Sequence, residues 1–174
     1  MLKPNEIREI ITRSNPYLRV NPDKMQVFID AGHIRLRGAA SLSYEYAYTL
    51  RVIVQDFNGH ADLIILPLLV YLRVNQPELF ENKDKSQNPI RFDIEFLNQE
   101  CIDIALDIDL TERVIVSTDA NSGRLRAEHV PEPENEYFPS EAITIEIWDK
   151  KNNVSLGVIE IPESQDRRIH SNGR

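Results

Sequence analysis

The chain has 174 residues, of which 28 are Asp or Glu and 20 are Lys or Arg, for a net charge of −8. With 41% hydrophobic residues it can bury one sizeable core with appendages, and its charge argues against a surface built to grip phosphate backbones. Cys101 is the single cysteine, which excludes an intrachain disulfide framework and a cysteine metal cluster. The opening, Met1 to Glu6, lacks the basic and apolar regions of a signal peptide. The longest apolar run, Leu63 to Leu72, is about half of what a membrane span requires, so a soluble cytoplasmic chain is predicted.

Pro4 suits the first turn of a helix, where its missing N–H has no helical partner. Ile7, Ile10 and Ile11 follow as an i, i+3, i+4 stripe, and Asn15-Pro16 ends the helix. Met25 to Arg37 predicts a hairpin: Met25, Val27 and Ile29 alternate, Asp30 to His33 turn, and Ile34 and Leu36 return. From Leu42 to Val54 the alternation is unbroken. Leu42, Tyr44, Tyr46, Tyr48, Leu50, Val52 and Val54 fall on one face, with Ser43, Glu45, Ala47, Thr49, Arg51 and Ile53 on the other. Such a strand spans roughly 43 Å at about 3.3 Å per residue, whereas most strands hold about 5–6 residues. Its cover must come from the helix that follows, from an adjacent subunit, or from both.

Asp56-Phe57-Asn58-Gly59 is a turn cluster, and Asp62 is placed to N-cap a helix running to about Val74. Pro67 inside it predicts a kink or a later helix start, and the apolar run 63–72 predicts cover on most sides. Asn75-Gln76-Pro77 ends it, and residues 81–89 form a polar loop. Two alternating segments follow. Phe92, Ile94 and Phe96 face one way and Arg91, Asp93 and Glu95 the other; Ile102 to Leu110 and Asp103 to Asp109 divide likewise. Val114 and Val116, then Leu125, read as shorter strands about a turn at Asn121-Ser122-Gly123. Residues 131–141 form an acidic, proline-rich linker. Ile143, Ile145 and Ile147 then pair with Val154, Leu156, Ile159 and Ile161 in a hairpin (142–162), with Gly157 as a bulge. A lone hairpin is marginal in water, so this one docks on its own domain or on a partner. Residues 163–174 read as a frayed tail.

Asp56, His60 and Asp62 are the one enzyme-like cluster, able in principle to bind a metal or move protons. Their spacing matches no metal-ligand signature, and caps and turns use the same residue types. His33, His129 and His170 read as surface histidines, and Cys101 has no local basic group to activate it. No Gly-rich phosphate loop and no Gly-x-Ser-x-Gly elbow occurs. A stacking platform for single strands would need a positive groove around Tyr44, Tyr46 and Tyr48, so packing is the better reading of those tyrosines. Asp93, Glu95, Asp103, Asp107 and Asp109 share one sheet face if their segments are neighbouring antiparallel strands. That row is either a solvated face or a surface that repels anions or docks cations.

Ala39-Ala40-Ser41-Leu42-Ser43-Tyr44-Glu45, Tyr48-Thr49-Leu50, Val52, Val54, Asp56-Phe57, Gly59, Asp62, Pro67, Tyr71-Leu72 and Gln76-Pro77 run in an order that resembles the tail completion protein R family of temperate contractile-tailed bacteriophages. Met1-Leu2-Lys3-Pro4 and Asn21-Pro22-Asp23 fit as well; beyond residue 110 the similarity is loose. The resemblance implies a non-enzymatic protein of the virion tail, assembled in the bacterial host cytoplasm, that forms a ring, by analogy a hexamer, at the head-proximal end of the tail. There it would stop tube and sheath growth and give the head its joining surface. Its partners would be further copies of itself, the tail tube protein, the tail sheath protein and the head connector, with no specific nucleic-acid binding, no membrane and no cofactor. The predicted fold is α+β, an α/β sandwich of a mixed or antiparallel sheet with two main helices over residues 1–130 and the C-terminal hairpin as an arm. On this reading Tyr44, Tyr46, Tyr48 and Arg51 serve a subunit interface, and the acidic row lines the ring's lumen. Ile143, Ile145, Ile147, Val154 and Leu156 form a sheath-binding arm. The rival from another class is a metal-dependent hydrolase using Asp56, His60 and Asp62.

Overall fold

A computed structural model describes residues 1–36, 41–81, 88–97, 101–119, 122–131 and 142–161. Most of the linker and all of the tail, 163–174, lie outside the described residues.

The first helix, α1 (Lys3–Ser14), has proline in its first turn and buries Ile7, Ile10 and Ile11. Asn15 closes it and starts α2 (Pro16–Val20), its side chain accepting the N–H groups of Tyr17 and Leu18. One antiparallel sheet follows, built from β1 (Met25–Leu36), β2 (Tyr44–Phe57), β3 (Ile90–Phe96), β4 (Ile102–Thr118) and β5 (Leu125–Val130). Its path is β1-β2-β4-β3, with β5 on the far part of β4. Arg113 and Val114 pair with β2 and β5 at once, so β5 lies along the same edge of β4 as β3.

The sheet is therefore antiparallel throughout, and β2, the long strand, is its second member. Three local expectations change. Met25–Leu36 is one strand, not a hairpin: it pairs with β2 along its whole length, and the register slips at Asp30, between Ile29 and Ala31. An extra residue accommodated as a bulge reverses the alternation, which in sequence mimics a turn. Val114 and Val116 do not begin a separate strand, because β4 continues to Thr118 before the turn closed by Asp119 and Gly123. Asp62 is the first residue of α3 (Asp62–Asn75), not its cap. Ala61 occupies the cap position with helical angles and no side-chain bond.

Helix α3 runs unbroken through Pro67 and buries Ile64, Leu68, Tyr71 and Leu72 against Tyr48, Leu50, Val52 and Val54 of β2 and Ile104 to Leu110 of β4. A Cβ at Gly59, just before α3, would lie 2.7 Å from the Phe57 ring, so glycine lets this turn close over a buried aromatic. The short α4 (Glu78–Glu81) follows. The hairpin of β6 (Ile143–Asp149) and β7 (Val154–Ile161) packs on α1 and α3, burying Ile147, Ile159 and Ile161. Its register shifts between Ile147 and Trp148, with Ile147 opposite Gly157. Gly157 has φ 153°, and a Cβ there would lie 2.8 Å from Leu63. The hairpin thus docks on its own domain and covers part of the apolar girth of α3.

Candidate functional site

The helices cover only part of the sheet. On the helix-side face Tyr48, Leu50, Val52 and Val54 are buried, but Ile34 is 58% and Leu36 80% exposed at one end. Along the opposite edge Phe92 is 68% and Phe96 79% exposed, on the same face as buried Ile104 and Leu106, with which the register aligns them. The molecule therefore ends in two apolar margins, one on β1 and one on β3.

A polar cluster marks the boundary between covered and uncovered sheet. Glu112 takes the apolar side of β4, between Leu110 and Val114, and is 3% exposed. It accepts the Tyr48 hydroxyl at 2.5 Å and the Leu2 N–H at 2.8 Å, and His129 Nδ1 lies 3.2 Å from it. Burial, then the Glu112 charge, raises the Tyr48 hydroxyl far above the ordinary tyrosine range, so it stays a donor. Tyr71 is raised in the same way by burial and by Glu6, to which its hydroxyl donates at 2.8 Å. Between β3 and β5 the edge of β4 is closed by side chains. Lys3 Nζ donates to the Thr111 carbonyl at 2.8 Å, and Gln76 accepts from Lys3 Nζ and from the Thr111 N–H. Lys3, Gln76 and Glu112 thus satisfy backbone that has no neighbouring strand. Sequence reading stopped the apolar row at Leu110 and passed over Glu112. The signal was a lone carboxylate in register with apolar residues on both sides.

Tyr48 is buried within the subunit, 6% exposed, and leaves little surface for the interface expected of it. Its row-mates Tyr44 and Tyr46 are half-buried on the overhang, ring centroids 5.0 Å apart, with Tyr46 stacked on His129. Arg51 lies on the outer face, 3.5 Å from Asp107. The acidic residues do share that outer face, since β3 and β4 are neighbours, but it is not a bare anionic strip. Arg91 binds Asp109 through two contacts at 2.7 and 2.9 Å, and Thr49 adds a third at 2.8 Å. The Arg91 bonds, with help from Thr49, hold the Asp109 carboxyl below the usual range despite partial burial. Asp103 accepts the Asp56 N–H, while Asp93 and Glu95 are exposed at the β3 edge. A groove of about 460 Å³ crosses this face, with His33, Arg35, Glu78 and Asp109 among its lining.

The enzyme-like trio does not converge. Asp56 sits at a left-handed residue of the β2 bulge, φ 51°, and pairs with Lys24 at 2.7 Å. His60 and Asp62 contact each other at 3.2 Å in the open. Among the described residues no three His, Cys, Asp or Glu side chains are grouped to hold a metal. In the hairpin, Ile143, Ile145 and Ile147 face the core, while Trp148, Val154, Leu156 and Val158 are exposed.

Open sheet edges and uncovered apolar margins, on a fold whose polar clusters are spent on closing backbone, are the equipment of a structural assembly subunit. The comparisons with known proteins agree. The family model of P2 phage tail completion protein R (GpR) matches residues 1–133. The chain is 40% identical to the Tail completion protein R of Escherichia phage P2 over 133 residues, 76% of this chain and 84% of that protein. It belongs to the tail completion protein R family, and its role is structural, in bacteriophage tail completion. The match runs past residue 110, where the resemblance read from sequence thinned, and stops short of the hairpin. No solved structure matches.

Proposed function

We propose that this non-enzymatic protein assembles as a ring, by analogy a hexamer, at the head-proximal end of a contractile tail. It ends tube and sheath growth there and presents the surface to which the head connector joins. The observation that carries the reading is a sheet in which, among the described residues, β1 and β3 are unlike edges that pair with no further strand, each bordered by exposed apolar residues. Unlike edges meet head to tail, the interface type that generates rings. Tyr44 and Tyr46, on the overhang, and Arg51, on the outer face, lie where a neighbouring subunit could add cover. The outer face, with Asp93, Glu95, Asp103, Asp107 and Asp109, turns to the lumen in this reading, where its carboxylates keep passing DNA from adhering.

The hairpin takes the sheath. Ile143, Ile145 and Ile147 brace it on α1 and α3, which leaves Trp148 and Val158 on the outward face and Val154 and Leu156 exposed near the turn, with strand addition at its edges. The test is to add purified protein to tube and sheath proteins during assembly. Tails of bounded length, with a ring at one end in negative-stain images, are expected. Unchanged length distributions with the protein left in solution would overturn the reading. Trp148→Asp with Val158→Asp should still cap tubes while losing the sheath.

A further inference from the structure

The edges at β1 and β3, which pair with no further strand among the described residues, match each other in four respects. First, direction: the path β1-β2-β4-β3 is antiparallel at each step and has four members, so β1 and β3 run oppositely. A second copy in the same orientation, placed beside the first, meets it with β3 antiparallel to β1, and the ladder continues without a break in pattern.

Second, backbone. Arg8 on α1 donates to the Met25 and Val27 carbonyls at 3.1 and 3.4 Å, so the opening part of the β1 edge is already occupied. The bulge at Asp30 then shifts the outward-pointing groups to Gly32, Ile34 and Leu36. On β3 the bond from Asp109 N–H to the Pro89 carbonyl places the outward groups on Ile90, Phe92, Ile94 and Phe96. Even-numbered residues therefore face even-numbered residues, which is the condition for bonding.

Third, faces. Those same residues carry the helix-side side chains on both strands, so pairing outward groups also joins apolar margin to apolar margin. Fourth, charge. The outer-face side chains are His33 and Arg35 on β1 against Asp93 and Glu95 on β3, and all four are exposed. One register sets Arg35 opposite Asp93 and His33 opposite Glu95. It also sets Ile34 beside Ile94 and Leu36 beside Phe92, and it keeps Arg35 away from Arg91.

We infer that residues 32–36 of β1 add as a strand to residues 92–96 of β3 in a second copy of this chain, making one sheet continuous from subunit to subunit. This inference rests on the ring reading and names its seam. Because β1 and β3 are different surfaces, the contact is head to tail, and closure of the rotation makes a ring.

The test uses full-length protein carrying both Leu36→Cys and Phe92→Cys, mildly oxidised and run on denaturing gels. A ladder of covalent multimers is expected, with only background dimer from either single variant, where Cys101 is the thiol in common. A ladder no stronger than the single variants give, in protein that sedimentation shows to be assembled, would overturn the seam while leaving the ring reading standing. Protein that stays monomeric alone and on tail tubes would overturn both. As a second measurement, Asp93→Arg should raise the concentration needed for assembly by about tenfold or more, and Arg35→Asp in the same chain should recover it. Equal assembly in all three would also count against the seam.

Discussion

The contact between Tyr48 and Glu112 offers the sharpest energetic test of how the long strand is anchored. Tyr48→Phe removes one hydroxyl and leaves the ring in place. The lost bond is buried and its acceptor is a carboxylate, so the cost is about 1.5–3 kcal/mol. Glu112 keeps the Leu2 amide, which is why the cost stays below that of deleting the carboxylate. Glu112→Leu strips the acceptor from the Tyr48 hydroxyl and the Leu2 N–H, leaving two donors unpaired at about 1–3 kcal/mol each, and should cost about 2–6 kcal/mol. The double variant should be destabilised by less than the sum, the difference being a coupling of about 1.5–3 kcal/mol. Urea unfolding followed by far-ultraviolet circular dichroism reads this directly. With a slope of about 2 kcal/mol per molar, Tyr48→Phe lowers the midpoint by about 1 M. A Tyr48→Phe midpoint within about 0.25 M of wild type, or strictly additive effects, would refute the reasoning.

Gly157→Val drives a side chain into Leu63 from a backbone angle that favours glycine. It should cost about 1–3 kcal/mol from overpacking, with more from strain, read as earlier urea unfolding. Because Ile159 and Ile161 are buried with α1 and α3, unfolding followed by Trp148 fluorescence should coincide with that followed by circular dichroism; a separate early fluorescence transition would show a hairpin that folds alone. Asp109 has a carboxyl lowered in the folded state by Arg91. Its stabilisation is present above the unfolded value of about 4 and is lost as pH falls through the folded value. Arg91→Ala should therefore flatten the acid limb of stability against pH, at a cost near neutrality of less than about 1 kcal/mol because the pair is half exposed. Lys3→Ala leaves the Thr111 carbonyl without its donor at a closed sheet edge and should cost about 1–3 kcal/mol, measured by thermal unfolding.

Much of the fold is a local property and was legible as such. Alternation marked the helix-side faces of β2, β3 and β4, and the i, i+3, i+4 stripe with Pro4 marked α1, because one covered face leaves a period in the chain. The acidic row on the outer face followed from the same alternation once β3 and β4 were taken as neighbours. Among the residues that carried the family resemblance, Tyr48, Leu50, Val52, Val54, Gly59, Pro67, Tyr71 and Gln76 are core, close-approach or edge-closing positions.

Pairing is not local, and there the chain read by itself misled or was silent. Nothing near Asp30 distinguishes a bulge from a turn; only the full-length partner β2 does. Arg91 neutralises Asp109, and Arg51 meets Asp107, because three strands distant in sequence lie side by side. Glu112 is tolerated on an apolar row because the chain's first residues and β5 bring it Leu2 and His129. Periodicity alone therefore determined which face of each strand is covered. Strand order, a long-range choice, decided that the long strand is interior and that β1 and β3 are edges of the sheet among the described residues.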